Sequence, residues 1–230
     1  MQASIQPVFT WSQERIFAGG ARNIALLVEW KGITQNEPQR KQSRKVVARE
    51  IELRIWLESH VRLSGCHGCE IEAGEGRSLL LKLGKIHAGQ RKFIGFEFIL
   101  SPMAVGKHDA LWLQWQYKQP SVERIRELPV QKLGLEYTRH TDVLTVSHSF
   151  HVEKHLELLK TAKVLEEVMV LQSTGRQTCA YDKLRTQADQ LLLLATRSGD
   201  MQLLKEAETL YKQLDSVHKA HSKAAGENEV

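Results

Sequence analysis

The chain has 230 residues, of which 42% are hydrophobic and 26% charged, and its formal net charge is +5 with an isoelectric point near 9.1. These values are typical of a globular protein with a real hydrophobic core, in one large domain or two modest ones. No apolar run approaches the roughly 20 residues that cross a bilayer, and the N-terminus has no secretory signal pattern. Three cysteines, an odd number, fit a reducing compartment, so we expect a cytoplasmic protein without disulfides.

From residue 4 to about residue 147, apolar and polar side chains alternate, which predicts β-strands. Turn-like breaks such as "AGEGR" and "SPMAVGKH" separate the apolar segments. Seven to nine short strands with no helix between them predict an all-antiparallel β-sandwich over residues 1–147. The positions expected to share one buried face in three of the strands are Ile24, Leu26, Val28 and Trp30; Ile51, Leu53, Ile55 and Leu57; and Ile94, Phe96, Phe98 and Leu100.

The stretch between two of these strands, "KGITQNEPQRKQSRK", is long, polar and basic. Structureless connections longer than about 12–15 residues are usually functional, linkers or disordered. We therefore predict a domain-insertion point at residues 32–45, with residues 34–44 exposed and mobile. Because an inserted domain needs its two connections close together, the strand that ends at Trp30 and the one that begins near Val46 are predicted to be neighbours in one sheet. The alternative is a long disordered hairpin loop in an ordinary sandwich.

After Ser149 the period changes to 3.6, which predicts three helices over residues 148–222, a disordered tail at 223–230 and an α+β fold overall. Thr178 is the predicted N-cap of the second helix, and Gly199 and Asp200 are expected to end it and to cap the third. The helices carry more apolar positions than one internal seam needs, so we expect the surplus to pack on the sandwich. The predicted stripes are Leu158, Ala162, Leu165 and Met169, with Leu159 and Val168 beside them; Leu184, Ala188, Leu191, Leu192 and Ala195; and Leu203, Leu204, Ala207, Leu210, Tyr211 and Leu214.

Two short motifs contain residues that bind metals or undergo redox chemistry. Cys66 and Cys69 form a CxxC, "CHGC", but a zinc site needs four ligands and a redox CxxC normally begins a helix, whereas this one falls in a turn between strands. His151 and His155 are four residues apart, so they share a helix face, but the glutamate of a metalloprotease motif is misplaced. The preferred interpretations are turn chemistry or incidental oxidation for the cysteines and solvated side chains near a helix start for the histidines.

No catalytic constellation is found, so we expect a non-enzymatic protein without a cofactor or a metal. The aromatic residues of "WLQWQYK" could stack on bases, but core and surface packing in a strand explains their alternation.

The order of segments resembles the bacterial von Willebrand factor A (VWA) domain proteins. The resemblance rests on "VFTWSQERIFAGGARNIALLVEWKG" before the basic stretch, on "KVVAREIELRIWLESHVRLSG" and "LLLKLGKIHAGQRKFIGFEFILSP" after it, and on helices with "ATRSGDMQLLKEAETLYKQL". In that family a β-sandwich built from both sides of the VWA domain precedes a helical tail. The metal-binding Asp-x-Ser-x-Ser is absent here, so the chain resembles the frame of such a protein without its VWA domain, either naturally reduced or cut from a longer parent.

The resemblance implies an interaction scaffold that binds protein partners, with Arg40, Lys41, Arg44 and Lys45 in the insertion or partner loop. The alternative is a nucleic-acid or anion-binding module that uses the basic loop 40–49, including Arg49. A net charge of +5 is too small to favour nucleic acid by itself.

Overall fold

The computed structural model describes residues 4–33, 45–73, 76–120, 122–144 and 149–226. These residues form eleven strands, a short 3-10 helix (Thr141–Leu144) and three α-helices, and the chain divides into two compact units, Met1–Val152 and Glu153–Val230. The strands are β1 (Ile5–Trp11), β2 (Arg15–Phe17), β3 (Arg22–Gly32), β4 (Val46–Leu57), β5 (Val61–His67), β6 (Glu72–Ala73), β7 (Ser78–His87), β8 (Arg91–Leu100), β9 (Gly106–Gln119), β10 (Val122–Glu127) and β11 (Gln131–Thr138). The helices are α1 (Phe150–Ser173), α2 (Gln177–Ser198) and α3 (Met201–Gly226).

The strands of the first unit form two sheets around one hydrophobic core. The first sheet has the order β1-β3-β8-β5, and the second has the order β2-β11-β9-β4-β7-β6, with β10 also paired to β9. All the positions predicted to face the core in β3 and β8 are buried, as are Ile51, Leu53 and Ile55 of β4. The strand periodicity therefore predicted the buried faces correctly, and the strand count was too low because β2 and β6 are too short to show a period.

The second sheet is mixed, so the prediction of an all-antiparallel fold is wrong. Strand β2 runs parallel to β11, with Ile16 opposite Tyr137. The Ala18 N–H donates a hydrogen bond to the Thr138 carbonyl at 2.8 Å and extends this pairing. Antiparallel direction is imposed by a tight hairpin, whereas β2 and β11 lie far apart in the sequence and no short turn fixes their relative direction.

The strands on either side of the long basic connection lie in different sheets. Val28 of β3 is paired with Ile94 of β8, whereas Leu53 of β4 is paired with Leu81 of β7 and Trp115 of β9. The prediction that β3 and β4 are sheet neighbours is therefore wrong. Each strand has one buried face, and this alternation is the same whichever sheet the strand joins.

The helical unit has its own hydrophobic cluster. The predicted stripes of α2 and α3 are largely confirmed, except that Leu192 and the partly buried Leu204 and Tyr211 lie at the margin. The α1 stripe is wrong in part, because Met169 is 62% exposed while the adjacent Val168 is buried. Apolar residues occur on several sides of α1, so its pattern does not select one face. That the helices pack on the strands stays a prediction.

The helix ends follow the sequence signals at two of three positions. Gly199 has a left-handed φ of 69° and donates its N–H to the Ala195 carbonyl, as expected of a C-terminal glycine. Asp200 Oδ1 accepts the N–H groups of Gln202 at 2.9 Å and Leu203 at 3.0 Å, so it caps α3. Thr178 is not a cap, because α2 already begins at Gln177.

Helix α3 continues to Gly226, past the end predicted at residue 222, and residues 227–230 lie outside the described part of the chain. None of the helices described here is both long enough and apolar enough to span a membrane.

Candidate functional site

The two ends of the connection between β3 and β4 meet at the turn between β7 and β8. Gly89 donates its N–H to the Gly32 carbonyl at 2.9 Å, and Gly32 donates its own N–H to the Gln90 carbonyl at 3.0 Å. On the other side, Ala88 donates its N–H to the Lys45 carbonyl at 2.9 Å. One turn thus holds the residues that lead into and out of the long connection.

We call this turn, residues 87–90, the pinning turn. Hydrogen bonds within the turn fix its shape. Gln90 Oε1 accepts the His87 backbone N–H at 3.1 Å and lies 3.2 Å from His87 Nδ1. The Gln90 N–H donates to the His87 carbonyl at 3.1 Å. Gly89 has a φ of 72°, a conformation that glycine adopts without steric strain. The pinning turn therefore has a defined shape, and its backbone N–H groups donate to both ends of the connection between β3 and β4.

Gly32 packs directly against the pinning turn and the first residues of β4. A Cβ atom at this position would lie 2.2 Å from the His87 carbonyl oxygen and 2.8 Å from Val47 Cγ2, so only glycine fits. Beyond it, the Ile33 N–H donates to the Ser4 carbonyl at 2.9 Å. The ends of the connection are therefore close together, although they belong to strands of different sheets.

Most of the predicted basic loop lies outside the described residues. Arg40, Lys41 and Arg44 belong to the undescribed segment 34–44, and Lys45 is exposed. The predicted loop 40–49 ends at Lys45, because β4 begins at Val46 and contains Arg49.

Arg49 near the start of β4 and Lys118, opposite it on β9, have carboxylate partners. Arg49 forms an ion pair with Glu123, and Lys118 Nζ lies 2.7 Å from Glu50 Oε2. Glu50 has a φ of 48° at a β-bulge, and the Lys118 hydrogen bond lowers the pKa of its carboxyl group. Arg49 and Lys118 are therefore neutralised by protein groups, which leaves them poorly suited to phosphate binding.

The "CHGC" motif begins in β5, the edge strand of the first sheet, and continues into the segment that leads to β6, the edge strand of the second sheet. Cys66 and His67 end the edge strand β5, and Gly68 has a left-handed φ of 94° that turns the chain back toward Cys66. The Sγ atoms of Cys66 and Cys69 are 3.6 Å apart, and the Cys66 thiol contacts the Cys69 carbonyl at 3.8 Å. The hydrogen bond with Cys66, together with burial, raises the pKa of the Cys69 thiol.

A cavity of about 580 Å³ opens beside this motif. We call it the edge groove, and its lining includes Trp30, Cys69, Ile71, Lys82 and Phe93. Lys82 Nζ lies 2.9 Å from Glu72 Oε1, so these two charges of the lining are paired with each other. The edge groove therefore combines an apolar wall and the Cys69 thiol with the charged residues Glu70, Glu72, Lys82 and Lys92.

The candidate metal ligands do not converge in the described part of the chain, where no three His, Cys, Asp or Glu side chains are grouped as a metal site. His151 and His155 lie one turn apart on α1, as the spacing predicts. His67 Nε2 is 3.1 Å from Glu97 Oε2.

The aromatic residues of "WLQWQYK" have structural roles. Trp115 and Tyr117 are 1% exposed and belong to the core, while Trp112 lies on the opposite face of β9 with the Lys132 ammonium 4.0 Å from its ring centre. This contact is a cation–π pair between neighbouring strands.

The sequence analysis missed a cluster of three rings, of which His60 and Tyr137 are buried. The rings of His60 and His108 stand edge-on to Tyr137, at centroid distances of 6.0 and 5.4 Å. Burial raises the pKa of Tyr137 to about 12, and burial followed by the nearby His108 lowers the pKa of His60. His60 Nε2 and the Tyr137 hydroxyl are buried without a hydrogen-bond partner in the described structure. Isolated histidines carry no sequence signal for such a cluster.

The fold is similar to solved structures of VWA proteins. It matches the ArnB paralog VWA2 from Sulfolobus acidocaldarius with a TM-score of 0.54 and 8% identity. The match covers 95% of this chain and 98% of the other. It also matches the von Willebrand factor type A protein from Catenulispora acidiphila over 68% of this chain, with a TM-score of 0.48 and 18% identity, and spans 37% of that protein's chain. No family model matches the sequence, and no curated protein is a detectable relative.

Proposed function

We propose that this protein is a non-enzymatic interaction scaffold that presents the segment between Ile33 and Lys45 to a protein partner. The observation that carries the proposal is the pinning turn, which binds Gly32 and Lys45 through three backbone hydrogen bonds. A segment held at both ends on a rigid base loses less conformational entropy when it binds, because its ends are already ordered. Such placement on a packed two-sheet body is typical of binding loops.

We further propose that the chain corresponds to the frame of a VWA protein without the VWA domain itself. The likeness to VWA2 of Sulfolobus acidocaldarius over nearly the whole of both chains supports a common fold. Adjacent ends at Gly32 and Lys45 are what an inserted domain requires, since its own termini usually lie close together. The chain has no Asp-x-Ser-x-Ser, so metal-dependent adhesion is not part of the proposal. The odd number of cysteines keeps the cytoplasm as the proposed compartment.

The second candidate is a nucleic-acid or anion-binding module based on the basic segment. The pairing of Arg49 with Glu123 and of Lys118 with Glu50 favours the scaffold, because neutralised cations release few counterions from DNA. The four cations Arg40, Lys41, Arg44 and Lys45 are the remaining candidates for phosphate contacts.

A photo-crosslinking experiment tests the proposal. A photoreactive amino acid replaces Lys41 in the full chain, and a matched variant carries it at the exposed Lys205 of α3. In extracts of the source cells, we expect discrete protein adducts from position 41 that are absent from position 205. The adducts from position 41 should survive moderate salt and disappear when the neighbouring Arg40, Arg44 and Lys45 are also replaced by serine. Identical adducts from both positions, or none from position 41, would contradict the scaffold.

A salt titration of the affinity for a generic DNA duplex tests the second candidate, the nucleic-acid or anion-binding module. A phosphate-binding protein loses affinity with a log–log slope of about −0.9 per phosphate contact. We expect no measurable duplex binding at physiological salt. Binding that falls with a steep slope, and that is abolished when Arg40, Lys41, Arg44 and Lys45 are all replaced by serine, would replace the scaffold by the nucleic-acid module.

A further inference from the structure

The two thiols of the "CHGC" motif are placed to react with each other. Their Sγ atoms are 3.6 Å apart, and a disulfide needs about 2.0 Å, so rotation of the two side chains closes the gap without moving a strand. The left-handed Gly68 is the residue that brings Cys69 back to Cys66. Both thiols are half-buried, so a small reagent has access to them.

We propose that Cys66 and Cys69 form a reversible dithiol–disulfide pair, oxidised by a low-molecular-weight disulfide such as glutathione disulfide, and that oxidation rigidifies the wall of the edge groove. This goes beyond the scaffold function, which uses Gly32, Lys45 and the pinning turn, whereas the two thiols lie near the end of β5 and in the turn after it. The chain from Cys69 to Ile71 crosses from β5, at the edge of the first sheet, to β6, at the edge of the second. A bond between Cys66 and Cys69 therefore ties the crossing segment to the first sheet.

The chemistry is a two-step thiol–disulfide exchange. The Cys66 thiolate attacks one sulfur of the small disulfide, the S–S bond breaks, and one small thiolate leaves and takes up a proton from water. The Cys69 thiol then loses its proton to water, and its thiolate attacks Cys66 Sγ and expels the second small thiolate. In total two protein thiols are oxidised to one disulfide, and one small disulfide is reduced to two small thiols.

The contact between the two thiols affects the ionisation of both. The hydrogen bond with Cys66 and burial raise the pKa of Cys69, and either thiol can be the donor in the Sγ–Sγ contact. Once one thiol is in a mixed disulfide it carries no negative charge, so it no longer opposes the ionisation of the other. We assign the attack to Cys66 and the resolving step to Cys69.

The location distinguishes this pair from an oxidoreductase site. A catalytic CxxC begins a helix whose dipole stabilises the thiolate, whereas Cys66 lies in strand β5, one residue before its end at His67. The pair is therefore a stoichiometric sensor that changes its own protein. Cys179, which is exposed in the first turn of α2, has no cysteine partner in the described structure and serves as an internal control.

The test exposes the full chain to glutathione buffers of rising oxidised fraction, alkylates the free thiols and maps the peptides by mass spectrometry. We expect alkylation of Cys66 and Cys69 to be lost together, with a linked peptide lighter by two hydrogens. The Cys69→Ser variant should instead accumulate glutathione on Cys66, and Cys179→Ser should leave the paired loss unchanged. Persistent alkylation of both thiols, or stable glutathione on Cys66 in the native chain, would overturn the proposal.

Hydrogen exchange gives the second readout. On oxidation, amide exchange in residues 67–72 should slow, while that of the pinning turn stays the same, and the Cys66→Ser variant should show no slowing. If the disulfide forms but exchange in residues 67–72 is unchanged, the pair does not rigidify the groove and the proposal is wrong.

Discussion

Gly32 accepts a hydrogen bond from the backbone N–H of Gly89 at 2.9 Å, which joins the end of β3 to the turn between β7 and β8. The partner bond from Ala88 to Lys45 holds the start of β4 on the same turn. Because β3 and β4 belong to different sheets, this turn is what brings the two ends of the long connection together. The geometry of the candidate site therefore depends on local backbone contacts rather than on a shared sheet.

Replacing Gly32 by alanine should destabilise the β-unit by roughly 3 kcal/mol or more, because the new methyl group would overlap the His87 carbonyl and Val47. All five tryptophans lie before residue 153, so the urea midpoint of tryptophan fluorescence reports this unit alone. The Gly89→Ala variant is the control: it has free space for the methyl group and should cost only about 1–2 kcal/mol, from its left-handed φ. An equal or smaller loss for Gly32→Ala would show that the contact is relaxed in solution.

The β-unit should lose stability as the pH falls through the range where histidine titrates. Burial and His108 lower the pKa of His60 in the folded state, so the unfolded chain takes up a proton first, from about pH 6.5 downward. The stabilising contribution of neutral His60 is present above that pH. It is lost as the pH falls toward the lowered pKa of His60 in the folded state. The His60→Phe variant should show a smaller drop in the fluorescence-detected urea midpoint between about pH 8 and pH 5.

The control for this experiment is His140→Gln, since His140 is exposed. It should reproduce the pH dependence of the native chain. If His60→Phe and the native chain lose stability equally, the ring cluster of His60, His108 and Tyr137 does not account for the acid sensitivity.

The buried amide of Gln187 should stabilise the helical unit. Its Nε2 donates to Thr161 Oγ1 at 3.0 Å and approaches the Glu157 carbonyl at 3.3 Å, which links α2 to α1. The Gln187→Ala variant loses these bonds and leaves a small cavity, so the helical unit should lose about 1–3 kcal/mol in a urea titration followed by helical circular dichroism. The exposed Gln190→Ala on the same helix should change stability by less than about 0.5 kcal/mol, and a similar loss at both positions would refute the role of Gln187.

Periodicity predicted which side chains are buried better than it predicted which strands are neighbours. Val28 and Leu53 were both assigned to the core correctly, but their sheets were not, because a period of two reports a face and not a partner. The parallel pairing of Ile16 with Tyr137 was missed for the same reason, since it joins segments far apart in the sequence. Gly199 and Asp200 were correct because helix ends are set by local backbone chemistry.

The candidate site was only partly accessible from the sequence. The length and charge of the segment before Lys45 pointed to the right place, but nothing in "HAGQ" indicates that Ala88 and Gly89 direct their N–H groups at another part of the chain. The pairing of Arg49 with Glu123 was equally hidden, because an ion pair between distant strands has no sequence signature.

The central claim, that the pinning turn holds an insertion point, is tested most directly by inserting a small folded guest domain between Pro38 and Gln39. A matched chain carries the same guest after Ala88, inside the pinning turn, where the backbone bonds to Gly32 and Lys45 would be broken. The thermal midpoint of the β-unit, read from its tryptophan fluorescence with a guest that lacks tryptophan, is the quantity measured. We predict that insertion after Pro38 leaves this midpoint within a few degrees of the native chain, since loop-closure entropy grows slowly with length, while insertion after Ala88 lowers it strongly or prevents folding. A β-unit that unfolds with the guest after Pro38, or that tolerates both insertions equally, would contradict the account.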